Sequence, residues 1–113
     1  MPVTLLDLTT EISEKARDRI HKSRPPLLLD KTKIENIKVG NINDNFDVVK
    51  EADWVVEAVV ERIDIKHNIY EKIFKNRKQG AIVSSNTSSI PIKVLSEHLS
   101  DIEKKDFCIT HFF

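Results

Sequence analysis

Two short segments carry the residues best suited to chemistry. Phe107-Cys-Ile-Thr-His-Phe-Phe113 is an almost wholly apolar run with one titratable group, His111, near its end. Ser84-Ser-Asn-Thr-Ser-Ser89 is a strand end that runs into a cluster of small hydroxyl and amide side chains. An imidazole exchanges protons near neutral pH, and hydroxyls and amides can hold a bound group by hydrogen bonds. Open α/β sheets bind their ligands at the carboxyl ends of strands, where both segments fall in this reading. Two plainer readings stand beside it. A lone histidine in an apolar strand is commonly a core residue, and Ser88 or Ser89 also suits a helix N-cap.

The elements that would position these residues alternate in type. Residues 3–8 read as a short buried strand. Thr9 and Thr10 then offer caps for a helix with Ile12, Ala16 and Ile20 at i, i+4 and i+8. Pro25-Pro26 ends any continuation, because proline removes a donor and restricts the residue before it. Residues 36–42 read as a second strand, and Asp44 or Asn45 can cap a short helix bearing Phe46, Val49 and Ala52. Trp54-Val-Val-Glu-Ala-Val-Val60 is the clearest buried strand. Ile65, Ile69, Tyr70, Ile73 and Phe74 stripe a helix that closes on Lys75, Arg77, Lys78 and a terminating Gly80. Residues 81–85 form the next strand, Ser88 or Ser89 with Pro91 opens another helix, and residues 107–113 end the chain as a strand. Strands alternating with helices predict right-handed crossovers and a mostly parallel sheet.

Composition narrows the function classes. The 113 residues suffice for one small domain or part of a larger one, and 40% hydrophobic content can build a core of modest size. Eighteen basic residues balance eighteen acidic ones, so no basic field points to nucleic acid. The apolar runs fall well short of the roughly 20 residues a membrane span needs. Met1-Pro-Val-Thr-Leu lacks a signal-peptide pattern, and one cysteine, Cys108, cannot form an internal disulfide. These features predict a soluble cytoplasmic protein. The glycosylation sequon Asn86-Thr-Ser88 is then accidental. Cys108 and His111 lie three apart on one strand and face opposite sides, and His21, His67 and His98 show no ligand spacing, so no metal site is expected. Without a Gly-x-Ser-x-Gly elbow, the serines do not predict a hydrolase.

Four segments together resemble the nucleotide-binding domain of the L-3-hydroxyacyl-CoA dehydrogenase family. They are Ala52-Asp-Trp-Val-Val-Glu-Ala-Val-Val-Glu-Arg62, Ile65-Lys66, Ala81-Ile-Val-Ser-Ser-Asn-Thr-Ser-Ser89 and Thr110-His-Phe-Phe113. With the strand ending at Asp7, the resemblance covers nearly the whole chain. It implies oxidation of a 3-hydroxyacyl-CoA in fatty-acid β-oxidation, with NAD as hydride acceptor. It also implies roles for single residues: Asp7 as the acid on the adenosine ribose, Glu61 and Lys66 beside cofactor and substrate, Asn86 and Ser88 at the nicotinamide and the reacting oxygen, and His111 as catalytic base. Lys22, Ser23 and Arg24 fall where the family's second helix approaches CoA, although a surface cluster is the preferred explanation of them. A glutamate that orients the family's histidine would follow the His-Phe-Phe segment, and the sequence stops two residues after His111.

The chain departs from the pattern at its front. A Rossmann domain opens with a strand, a Gly-x-Gly-x-x-Gly turn and a helix that receives the pyrophosphate. Gly40 and Gly80 are the only glycines, and neither stands in such a motif. The expected fold is therefore an incomplete Rossmann-type parallel sheet over residues 1–113, lacking the first strand and the glycine-rich turn. The family's C-terminal helical domain lies outside it. In the order 3-2-1-4-5-6 the missing strand sits mid-sheet, so two half-sheets with apolar edges should remain. Residues 3–8 then either pair directly with residues 54–60 or leave the gap to another chain, which makes exposed edges a route to a homo-oligomer. The functional expectation is a fragment of an NAD-dependent dehydrogenase with negligible activity alone. A non-catalytic assembly module is the alternative, and a Rossmann oxidoreductase for hydroxy acids or sugar acids is a third reading that the Ser-Asn-Thr-Ser-Ser and His-Phe-Phe pair disfavours.

Overall fold

Aliphatic and β-branched residues open the chain as β1 (Val3–Asp7), and the Thr9 hydroxyl accepts the Ile12 amide at 3.2 Å to start α1 (Thr10–Lys22). The computed structural model describes residues 2–22 and 31–112. Ser23, Arg24, Pro25-Pro26 and Phe113 lie outside the described residues. A 3₁₀ turn (Lys31–Asn36) leads into β2 (Ile37–Asn41), which pairs in parallel with β1, Val3 opposite Ile37 and Asp7 opposite Asn41. The face of α1 turned inward is Ser13, Ala16, Arg17 and Ile20, whereas Ile12, expected on the buried stripe, is 40% exposed. Ser13 takes the inner position because its hydroxyl donates to the Gly40 carbonyl at 2.8 Å, a bond an isoleucine could not make.

The second helix expected near residue 46 is a 3₁₀ turn (Phe46–Lys50) that buries Val49. Neither Asp44 nor Asn45 caps it through its side chain. Both instead serve Asn41: Asn45 Oδ1 accepts the Asn41 amide at 3.0 Å, and Asn41 Oδ1 accepts the Asp44 amide at 2.7 Å.

The chain divides into two units, Met1–Val48 and Val49–Phe113. The second holds β3 (Trp54–Glu57), α2 (Ile63–Asn76), β4 (Ile82–Ser85), α3 (Ile92–Leu95), α4 (Asp101–Lys105) and β5 (Phe107–Ile109). Its three strands pair in parallel in the order β3-β4-β5. The ladders thus form a two-stranded and a three-stranded sheet, as expected for a Rossmann sheet without its first strand. Among the described residues, β1 is paired with β2 alone. Tyr70, Ile73, Phe74, Val83, Leu95 and Phe107 form the second unit's core, with the Tyr70 and Phe107 rings 5.1 Å apart.

Several boundaries differ from the sequence reading. β3 stops at Glu57, and Trp54 and Val56, on the face opposite Val55 and Glu57, are 44% and 43% exposed. α2 ends at Asn76 with the Arg77 amide bonded to Ile73 O; Gly80 serves the following turn at φ 84°, in the left-handed region that glycine tolerates. One helix was expected between residues 88 and 107, and two short ones are found. The first starts after Pro91 without a side-chain cap, so Ser88 and Ser89 are not caps. The second starts at a capping box, in which Ser100 and Glu103 satisfy each other's backbone amides. β5 spans three residues, and its ladder to β4 extends only to the Thr110 amide on Ser85 O. His111 therefore lies past the strand and is exposed, which removes its reading as a core histidine.

Candidate functional site

Alternation along β3 turns Glu57 inward at the strand's carboxyl end, where its side chain is fully shielded from solvent. A carboxylate has about four acceptor positions. Here Tyr70 Oη and Ser85 Oγ (2.6 Å) donate to Oε1, while Lys66 Nζ (2.6 Å) and the Val59 amide (2.9 Å) donate to Oε2. Burial, with the bond to Glu57, pushes the Tyr70 hydroxyl well above its usual range, so it stays a donor. Nothing in the sequence marks Glu57 or Tyr70 beyond their placement: one carboxylate inside an apolar run, and one phenol on the apolar stripe of α2.

Lys66 is 1% exposed on the first turns of α2. Its ammonium bonds Glu57 Oε2, approaches Glu61 Oε1 at 3.2 Å and reaches Val59 O at 3.5 Å. Its three protons are thereby directed at protein acceptors, and Glu61 is the member of the pair that faces outward. Glu61 and Lys66 make direct contact despite their i to i+5 spacing, because Glu61 precedes the helix. Thr87 Oγ1 donates to Glu61 Oε1 at 2.8 Å, and the Ser88 amide (3.4 Å) and Ser89 Oγ (3.3 Å) point at Oε2. The Thr87 bond foremost, with Lys66 and the Ser88 amide, holds the Glu61 carboxyl below its ordinary value against a desolvation that acts the other way. Thr87 and Ser85 are site members that the sequence reading left unassigned within the Ser-Asn-Thr-Ser-Ser cluster.

β4 and β5 bring the remaining groups to the same sheet end. The Asn86 amide donates to Glu57 O at 2.8 Å, and Asn86 Oδ1 accepts the Phe112 amide at 2.8 Å. The residue after His111 is thus tied to Asn86. On the other face of the sheet, Ser84 Oγ accepts from both Trp54 Nε1 and Thr110 Oγ1 at 2.9 Å, tying β4 to β3 and to the residue after β5. Ser88 contributes its amide to Glu61, and its side chain is exposed. The second unit therefore gathers Glu61, Lys66, Asn86, Ser88 and the backbone beside His111 at strand ends.

Asp7 belongs to the first unit and closes β1. Its Oδ1 accepts the Leu8 amide at 2.7 Å, and its Oδ2 takes no hydrogen bond among the described residues. A ribose hydroxyl is a group such an oxygen could accept. The pyrophosphate cradle of a dinucleotide has no counterpart among these residues, since no glycine-rich turn opens α1. The residues present fit part of NAD and not all of it.

Two histidines without ligand spacing in sequence come together in space. His67 on α2 lies with Glu97 and His98, one ligand atom of each within 4.8 Å of the others.

The whole chain, residues 1–113, matches the family described as 3-hydroxyacyl-CoA dehydrogenase, NAD binding domain. A protein of Bacillus subtilis named "Probable 3-hydroxyacyl-CoA dehydrogenase" is 37% identical over 95% of this chain, and one of the same name from Deinococcus radiodurans is 36% identical over all of it. The chain spans 14% and 35% of those relatives' lengths. The crystal structure of (S)-3-hydroxybutyryl-CoA dehydrogenase PaaH1 from Ralstonia eutropha superposes with a TM-score of 0.76 at 29% identity, over all of this chain and 41% of that one. Among the described residues no helix is long and apolar enough to cross a membrane.

Proposed function

The chain belongs to the NAD-binding-domain family of 3-hydroxyacyl-CoA dehydrogenases, and from that premise we propose that its strand-end groups serve oxidation of an L-3-hydroxyacyl-CoA to the 3-oxoacyl-CoA. NAD, the cofactor of this family, accepts the hydride when bound. The chain's own residues handle the proton and the positioning. His111 takes the hydroxyl proton, the general-base task for which imidazole is the side chain most often used. Ser88 and Asn86 orient the reacting oxygen and the nicotinamide. Asp7 accepts from the adenosine ribose. Glu61 meets cofactor or substrate, and Lys66 acts beneath it as a positioning residue, held by Glu57.

The observation that carries this reading is the bond from the Phe112 amide to Asn86 Oδ1. It fixes the backbone next to His111 at the end of the strand that bears the serine cluster. On these residues alone turnover is negligible, because the pyrophosphate cradle is not among them. Calorimetric titration with millimolar NAD, with and without Asp7→Ala, tests the cofactor role. Heat that Asp7→Ala abolishes supports it, and no heat in either protein removes it. An assay of NAD reduction with 3-hydroxybutyryl-CoA tests turnover; a measurable rate would contradict the expectation of negligible activity.

The exposed apolar edge of β3, with Trp54 and Val56, favours a second reading: a non-catalytic assembly module derived from the same domain. Absence of NAD binding together with concentration-dependent self-association would favour it.

A further inference from the structure

We propose that His67, Glu97 and His98 form a binding site for a divalent transition-metal ion of the zinc class, separate from the strand-end site. One ligand atom from each lies within 4.8 Å of the other two. Around a tetrahedral ion with bonds of about 2.0–2.1 Å, ligands stand roughly 3.3 Å apart. Rotation of the exposed Glu97 and His98 side chains closes the difference, while His67, half-buried on α2, stays fixed.

His67 is already held as a metal ligand should be. Its Nε2 lies 2.9 Å from Val94 O. A carbonyl only accepts, so Nε2 donates in this contact, and in the neutral ring Nδ1 is then the nitrogen that offers a lone pair. Metal-bound histidines characteristically donate their other ring nitrogen to a carbonyl or carboxylate, which sets tautomer and ring orientation before the ion arrives. The two imidazoles stand edge to face with centroids 4.3 Å apart, so neither ring has to cross from another part of the surface. His67 and His98 line one groove, where Glu71 and Glu103 add negative charge that Lys75 offsets in part.

Two imidazoles and one carboxylate select the ion class. Imidazole suits zinc, nickel and copper, whereas magnesium and calcium take oxygen ligands. Three protein ligands leave a coordination position for water. The ion clips α2 to the segment after α3, beside the His67–Val94 bond that joins α2 to α3 itself. Ligands drawn from different elements are ordered by folding, so binding adds to folded-state stability.

The test is isothermal titration of zinc chloride into the purified chain in a buffer that does not bind metal, with magnesium chloride as comparison. The expected result is one zinc per chain and no magnesium binding. Loss of a ligand in Glu97→Gln or His98→Ala should weaken zinc binding by more than the roughly 10–100-fold typical of an outer-shell partner. At zinc about one hundred times its Kd, the folded-to-unfolded ratio rises about a hundredfold, seen as a higher Tm that a chelator reverses. Far-ultraviolet circular dichroism checks each variant's fold. If His98→Ala is perturbed through its contact with His67, Glu97→Gln, exposed and outside that ring contact, decides. No zinc heat, or binding unchanged in both variants because Cys108, His21 or His111 holds the ion, overturns the proposal.

Discussion

The ammonium of Lys66 lies 2.6 Å from Glu57 Oε2 with both side chains sealed from solvent. Two buried opposite charges offset their desolvation only when they keep each other, and removing one partner costs about 3–5 kcal/mol. The two partners are not equivalent here. Without Glu57, Lys66 retains Glu61 at 3.2 Å; without Lys66, Glu57 retains only neutral donors. Lys66→Met should therefore destabilise more than Glu57→Gln, and the double variant should recover much of the loss. Urea unfolding of the four proteins measures this. Single-variant losses that simply add in the double variant would show that the pair is not coupled.

Glu61 gives the second prediction. Its folded pKa lies below the ordinary 4.5, chiefly through the Thr87 hydroxyl. For a carboxyl depressed on folding, the stabilisation is present above the unfolded pKa and fades as pH falls through the folded one. Stability should thus decline on acidification from pH 4.5 downward, and Glu61→Gln should flatten that part of the curve. Thr87→Val should move the Glu61 titration upward, toward 4.5. Thermal unfolding across pH 3–6 checks the first and carboxyl NMR titration the second; a Glu61 titration unmoved by Thr87→Val would contradict the assigned cause.

Gly40 supplies a third. A Cβ there would stand 2.7 Å from Asn45 Oδ1 and 2.9 Å from Asn45 Cβ. The Asn45 carbonyl oxygen accepts the Asn41 amide, so moving it breaks that bond as well. Gly40→Ala should cost about 1–3 kcal/mol, the usual penalty for crowding a packed position. Adding Asn45→Gly should relieve the clash but not restore the lost bond, so recovery is partial. Chemical denaturation of both variants decides; an unchanged midpoint in Gly40→Ala would mean that the turn absorbs the methyl.

Much of the frame was legible because it rests on local patterns. The apolar run before Ser84, the stripe from Ile65 to Phe74 and the alternation of strand and helix all survive in the fold. Other features depend on tertiary partners. Ile12 and Ser13 both suit a helix, and only the Gly40 carbonyl above α1 decides that the serine turns inward. Glu57 is one acid in an apolar strand until Tyr70, Ser85 and Lys66 converge on it from α2 and β4. The pairing of His67 with His98 depends on the segment after α3 lying against α2. The restart at Ser100-Asp-Ile-Glu103, by contrast, carries a capping-box signature in plain sequence, and it explains why one expected helix is two.

The edge of β3 supports the last prediction. β3 hydrogen-bonds to β4 alone, and Trp54 and Val56 are nearly half exposed along it. Unpaired backbone beside apolar side chains is a template for pairing with another strand, and a lysine placed there is a common way to prevent it. The chain should therefore self-associate as concentration rises, and Val56→Lys should shift it toward the monomer. Because Val56 already meets solvent, the substitution should change stability by only about 0.5 kcal/mol, so an altered assembly state would not reflect unfolding. Sedimentation velocity over a concentration series reads the outcome. A single monomeric species at every concentration, or association unaffected by Val56→Lys, would mean that this edge is not the surface through which copies meet.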